Sequence, residues 1–162
     1  MASLAQEMLE QTTMPAVCRP ALREDASRLH DIRRRSILEL APAEMSGAEV
    51  QAWAERLTLD RMARKLRELE VWVVECEGVV AGWGAVRGGR LEGLYIAAEC
   101  AGQGIGAGLL DRLERLIFER GFPLVHLEAS ANARGFYLRF GYRAIGPRTP
   151  QGAWPMVKRQ IG

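Results

Sequence analysis

The residues with the clearest chemical potential form one run: Glu99-Cys100-Ala101-Gly102-Gln103-Gly104-Ile105-Gly106-Ala107-Gly108. A strand-like segment precedes it and a helix-like segment follows. Glycines let the backbone take conformations closed to other residues and let it approach a ligand closely. The following helix presents unpaired N–H groups and the positive end of its dipole, so loop and helix together suit a phosphate or pyrophosphate. Gly102-Gln103-Gly104-Ile105-Gly106-Ala107 nominally satisfies the dinucleotide fingerprint, and Glu128 lies near the distance of its ribose acid. A Walker loop is excluded, because no Gly-Lys-Ser/Thr follows. Cys18, Cys76 and Cys100 are widely spaced and the histidines are His30 and His126, which predicts neither a disulfide framework nor a metal site. His126, inside a strand, reads as a packed core residue.

The elements that position this loop follow from periodicity. Residues 1–14 read as a loose or helical lead-in, and a short strand is expected around Val17. Pro20 and Asp25 introduce an apolar series at helical intervals (Leu22, Ala26, Leu29, Ile32, Ile37), which Pro42 breaks. Ser46 and Glu49 have the form of a capping box before a helix carrying Val50, Trp53 and Leu57. Thr58 caps another helix through Met62, Leu66 and Leu69. Strands then follow: Val71–Glu75, the turn Glu77-Gly78, Val79–Val86, the turn Gly88-Gly89, and Leu91–Ile96. Two tight turns in succession predict an antiparallel meander. A loop from Gly102 to Gly108 leads into a helix with Leu109, Leu110, Leu113, Leu116 and Ile117 on one side, ended by Gly121. Leu124–Glu128, Asn132–Phe140, Tyr142–Ile145 and Trp154–Lys158 read as strand, helix, strand and strand. The fold class is α/β, in the sense of a mixed sheet flanked by helices. Hairpin-linked strands before the loop, and a single short helix after Glu128, argue against a Rossmann unit.

The chain has 162 residues, a formal net charge of +2 and 48% apolar residues. That is one domain's worth, with a lead-in at 1–14 and a single domain over 15–162. The charge is too small to predict a nucleic-acid or membrane partner. Arg33, Arg34 and Arg35 read as a solvated helix face. Glu7 and Glu10 interrupt the N-terminus, which lacks the apolar core of a signal peptide, and no apolar run approaches a membrane span. A cytoplasmic protein is expected.

Leu94-Tyr95-Ile96 followed by Gly102-Gln103-Gly104-Ile105-Gly106-Ala107-Gly108-Leu109-Leu110 resembles the acetyl-CoA loop of the GCN5-related N-acetyltransferases (GNAT). Leu127 through Ala133, then Phe136-Tyr137 and Gly141-Tyr142, resembles that family's second motif. Arg19-Pro20-Ala21 with Asp25 resembles its opening, and Met156-Val157-Lys158 its ending. The resemblance covers residues 16 to 160 and implies the GNAT-like fold, with antiparallel N-terminal strands and splayed central strands.

It also implies a site. Backbone amides from Ala101 through Ala107 would cradle the CoA pyrophosphate. Leu94, Tyr95 and Ile96 would offer strand backbone to pantetheine, with Ser130, Asn132, Phe136 and Tyr137 completing the cofactor-binding set. The implied chemistry is direct attack by a neutral primary amine, on a small molecule or peptide, upon the acetyl thioester. Tyr137 would be the general acid and Glu92 the base through water, with Glu128 as a second candidate base and Arg90 as a contact for a substrate carboxylate or phosphate. Strand alternation places Arg90, Glu92 and Leu94 on one face. Ala101 stands where the family usually has Arg or Gln, which removes a side-chain contact and leaves the backbone donors. Ser130 stands where many members have Asn. Cys100 reads as incidental. Trp53, Trp83, Trp154 and Tyr95 are candidates to line an acceptor cleft walled by the N-terminal helices and late strands. Homodimerisation is common in the family. A degenerate acyl-CoA-binding sensor and a dinucleotide-binding protein are the rival readings.

Overall fold

Two turns between Glu70 and Ile96 set the centre of the sheet. The computed structural model describes residues 16–40 and 45–160. Glu77 (φ 53°) and Gly78 (φ 77°) join β2 (Glu70–Cys76) to β3 (Val79–Arg87), both in the left-handed region that a primed hairpin turn requires. Gly88 (φ 57°) and Gly89 join β3 to β4 (Arg90–Ile96). β1 (Val17–Pro20) adds antiparallel to β2, with Arg19 opposite Val73. Beyond β4 come β5 (Leu124–Ala129), β7 (Trp154–Arg159) and β6 (Arg143–Ala144), giving the order β1-β2-β3-β4-β5-β7-β6. The β4–β5 pair is parallel and the others are antiparallel.

The helices begin where side chains can satisfy orphan amides. A 3-10 turn at Arg23–Asp25 leads into α1 (Ala26–Leu40), and Asp25 both accepts from Leu22 N and pairs with Arg19 at 2.8 Å. Ser46 caps α2 (Gly47–Glu55) by accepting from Glu49 N at 3.1 Å, and Thr58 caps α3 (Leu59–Glu68) by accepting from Arg61 N at 3.2 Å. α4 spans Ile105–Glu119, so it starts earlier than the glycine content suggests: Gly106 and Gly108 lie in its first turn. α5 spans Ala131–Arg139, capped by Ser130. The strand expected over Tyr142–Ile145 shrinks to Arg143–Ala144. The lead-in at 1–14 and the break at Pro42 lie outside the described residues.

The sheet carries a core on each side. Leu29, Ile32 and Met62 of α1 and α3 pack with Val73 and Trp83 on one face. Leu109, Leu113 and Ile117 of α4 pack with Val86, Leu127 and Met156 on the other. Two sequence expectations fail here. His126 is exposed, because the buried alternate positions of β5 go to Val125, Leu127 and Ala129. Arg33 is not a solvated residue: it is half-buried, donates to Ala54 O at 3.2 Å and lies over the Tyr95 ring. Among the described residues, no helix is long and apolar enough to cross a membrane.

Candidate active site

β4 and β5 pair at one position, Arg90 with His126, where His126 N donates to Gly89 O at 2.9 Å. Past that point they part, and a cleft of about 1100 Å³ lies along the gap. Leu94, Tyr95 and Ile96 line it from β4, and Ser130, Asn132, Phe136 and Tyr137 from the β5–α5 side. Ser36, Trp53 and Arg56 wall it from α1 and α2, and Arg148, Gln151, Gly152 and Ala153 approach from the loop before β7.

A bulge decides which residues of β4 face which layer. Ala85 pairs with Gly93 but Val86 with Leu91, so Glu92 is the extra residue. Leu91 and Leu94 therefore both pack with the α4 core, while Tyr95 stacks on Trp83 (5.0 Å between ring centroids) on the opposite side. The expectation that Arg90, Glu92 and Leu94 share a face is corrected by this bulge, which flips the alternation after Glu92. Glu92 lines the cleft with its side chain 27% exposed, 3.7 Å from Arg90 and 3.8 Å from Arg87. Glu128 also lines it, more exposed at 49%, and pairs with Arg90 at 3.3 Å.

The loop closes one end of this gap. Gly102 (φ 80°) and Gly104 (φ 77°) sit in the left-handed region, and a Cβ at either would meet no atom within 4 Å. Backbone conformation therefore sets the demand for glycine there, and the space beside it is open. The bond from Gly108 N to Gly104 O (3.1 Å) opens the α4 ladder, so the first-turn amides before Gly108 have no intrahelical acceptor. Ala101 and Gly106 face the large cleft, whereas Gln103, Gly104 and Ile105 line a smaller pocket of about 200 Å³ beside Cys18. Burial, with help from Glu99, pushes the Cys100 thiol above its ordinary range and keeps it protonated.

Tyr137 is the buried aromatic of the site, 6% exposed, edge-on to Phe136 at 5.3 Å and to Tyr142 at 5.4 Å. Burial, reinforced by the nearby Tyr95, drives its phenol well above the usual tyrosine range, so it stays protonated at ordinary pH.

Residues 41–159 match the family described as the acetyltransferase (GNAT) domain. The chain belongs to the GNAT acetyltransferase family. Among solved structures it is similar to a GCN5-related N-acetyltransferase from Rhodopseudomonas palustris (27% identity, TM-score 0.85, covering 92% of this chain and 98% of that one). It is also similar to the PaiA N-acetyltransferase of Thermoplasma acidophilum in complex with coenzyme A (19% identity, TM-score 0.77, 91% and 100% covered). A third is YncA from Salmonella typhimurium with its cofactor acetyl-CoA (20% identity, TM-score 0.63, 90% and 94% covered). No curated protein matches the sequence.

Against the GNAT expectation, Glu92, Leu94, Tyr95, Ile96, Ala101, Gly106, Ser130, Asn132, Phe136 and Tyr137 are brought together around the large cleft. Gln103, Gly104 and Ile105 turn to the smaller pocket, and Gly102 and Ala107 line neither. Ser130 has a second occupation that its place in the motif does not reveal: its Oγ accepts from Ala133 N at 3.3 Å and caps α5. Of the four aromatic candidates for the acceptor wall, Trp53 and Tyr95 line the cleft. Trp83 is core, 1% exposed and donating to Leu29 O at 3.0 Å. Trp154 is not among the lining residues and lies under the guanidinium of Arg134 at 4.6 Å. Sequence reasoning missed Arg56 and Arg148. Gly146-Pro147 and Gly152 mark a loop around Arg148, but turn chemistry says nothing of where the loop's arginine points.

Proposed function

We propose that the protein transfers an acetyl group from acetyl-CoA to a primary amine by direct attack on the thioester. The observation that carries this reading is the parting of β4 from β5 at Arg90 and His126, with the α4 N-terminus at the end of the gap. Strands that part leave main-chain groups unpaired, which suits an amide-bearing chain such as pantetheine. Free amides at a helix N-terminus suit a pyrophosphate. Ala101 supplies no charged side chain, so phosphate binding rests on the backbone donors.

The neutral amine attacks the carbonyl carbon, an N–C bond forms and the C–S bond breaks. Glu92, through water, takes the proton that the amine nitrogen sheds. Tyr137 donates from its phenol to the sulfur as negative charge builds there, and the free thiol leaves. Burial favours this role, since it keeps the phenol protonated. No side chain forms a covalent intermediate, consistent with a Cys100 thiol held protonated.

The test is a steady-state assay of CoA thiol release from acetyl-CoA over a broad amine panel. Amine-dependent release with an acetylated product supports the reading. Binding of acetyl-CoA with no amine-dependent release would instead favour an acyl-CoA-binding module without turnover.

A further inference from the structure

The charges around the cleft are unevenly paired. Its two sheet carboxylates, Glu92 and Glu128, both turn to Arg90. Arg148 lines the same cleft and has no carboxylate partner among the described residues. Its Nε and Nη2 instead donate to Gly152 O at 3.3 and 3.1 Å, and its Cζ lies 5.8 Å from the centre of the Trp154 ring. Arg134 stacks on that same ring at 4.6 Å, and its Nε is buried with no hydrogen-bond partner. Two guanidinium groups thus converge on one indole, and among the described residues neither is paired with a carboxylate. Arg134 also lies in the first turn of α5, where the helix dipole adds to the positive potential rather than offsetting it.

A guanidinium held by a loop carbonyl and an aromatic face has already given up much of its rotamer freedom, and its planar fork matches an oxyanion. An acceptor carrying such an oxyanion would give Arg148 the anionic partner that it lacks among the described residues. We propose that the acceptor amine also bears an oxyanion, a carboxylate in the first instance, and that Arg148 selects for it. This rests on the acetyltransferase reading of the cleft. On the facing wall Arg56, at the C-terminal end of α2, is accompanied by Glu49 of the same helix, so among the described residues the free cationic group stands on the Arg148 side.

The test offers matched acceptors: amino acids against their amides, dipeptides against dipeptide amides, and aminoalkyl phosphates against the corresponding amino alcohols. Thiol release is followed with wild type, Arg148→Gln and Arg148→Lys, each checked for native circular dichroism. A bidentate charge-assisted contact predicts kcat/KM about 10- to 100-fold higher for the acid than for its amide. That ratio should fall toward one in Arg148→Gln, recover in part in Arg148→Lys, and leave the KM for acetyl-CoA unchanged. A stronger preference for the phosphates, lost in the same way, supports the oxyanion role with phosphate as the group read. Equal kcat/KM for acids and amides, or a preference that survives Arg148→Gln, overturns the proposal while leaving the acetyltransferase reading intact. No thiol release with any amine overturns both.

Discussion

Arg90 on β4 reaches Glu128 on β5 across the root of the splay, Nη2 to Oε1 at 3.3 Å, beside the one backbone pairing those strands keep. The same arginine stands 3.7 Å from Glu92. Arg90 is therefore the hinge of charge at the point where the cleft opens, and it holds two carboxylates in different settings. Glu92 is bulged out of register and the less exposed of the two, while Glu128 sits on a regular strand nearer to water.

On the proposed mechanism, that difference predicts unequal kinetic effects for the two carboxylates. Glu92→Gln should lower kcat by about 100-fold, the scale of a lost general base, with the KM for acetyl-CoA little changed. Glu128→Gln should cost only a few-fold. Parallel kinetics on the two variants decide the matter, and the reverse order would move the base to β5.

Tyr137→Phe should also lower kcat by about 100-fold while keeping the melting temperature near wild type, since the ring and its packing remain. The sign of the pH effect follows from burial. A phenol pushed above its ordinary value of about 10 stays protonated below that pH, so the wild-type rate should show no alkaline decline from Tyr137 up to about pH 10. A decline centred near pH 8, absent in Tyr137→Phe, would contradict the assignment.

The glycines of the loop are not equivalent. Gly104 has φ 77°, so Gly104→Ala should cost about 1 kcal/mol in backbone strain and weaken acetyl-CoA binding by about 10-fold. Gly108 lies inside α4 with nothing near a new Cβ, so Gly108→Ala should raise the melting temperature by about 2 °C. Thermal melts and titrations of both variants test the contrast.

Away from the cleft, Glu114 is buried in α4 and held by Lys158 Nζ at 2.9 Å and by Tyr142 OH at 3.1 Å. Lys158→Met strands that carboxylate and should cost about 3 kcal/mol, whereas pairing it with Glu114→Leu should restore much of the loss. Denaturant unfolding of the single and double variants measures the coupling.

Much of this fold was legible because its signals are local. The turns at Glu77-Gly78 and Gly88-Gly89 and the caps Ser46 and Thr58 each depend on residues close in sequence, and each forms where the pattern places it. What escaped depends on partners distant in sequence. The bulge at Glu92 exists only through its register with Ala85 and Val86, so simple alternation put Leu94 on the wrong face. The exposure of His126 follows from which face of β5 meets α4, and the partial burial of Arg33 from the approach of α2. Arg148 enters the cleft by the path of an irregular loop, which no periodicity encodes.

An acyl-CoA site in the gap between β4 and β5, closed by the α4 N-terminus, underlies every step proposed for this protein. The most direct measurement is an isothermal titration of the purified protein with acetyl-CoA, with CoA and NADH as controls. The expected result is saturable one-to-one binding of acetyl-CoA, displaced by CoA, and no heat from NADH. A folded protein that binds no acetyl-CoA, or that binds NADH without competition from CoA, would contradict it.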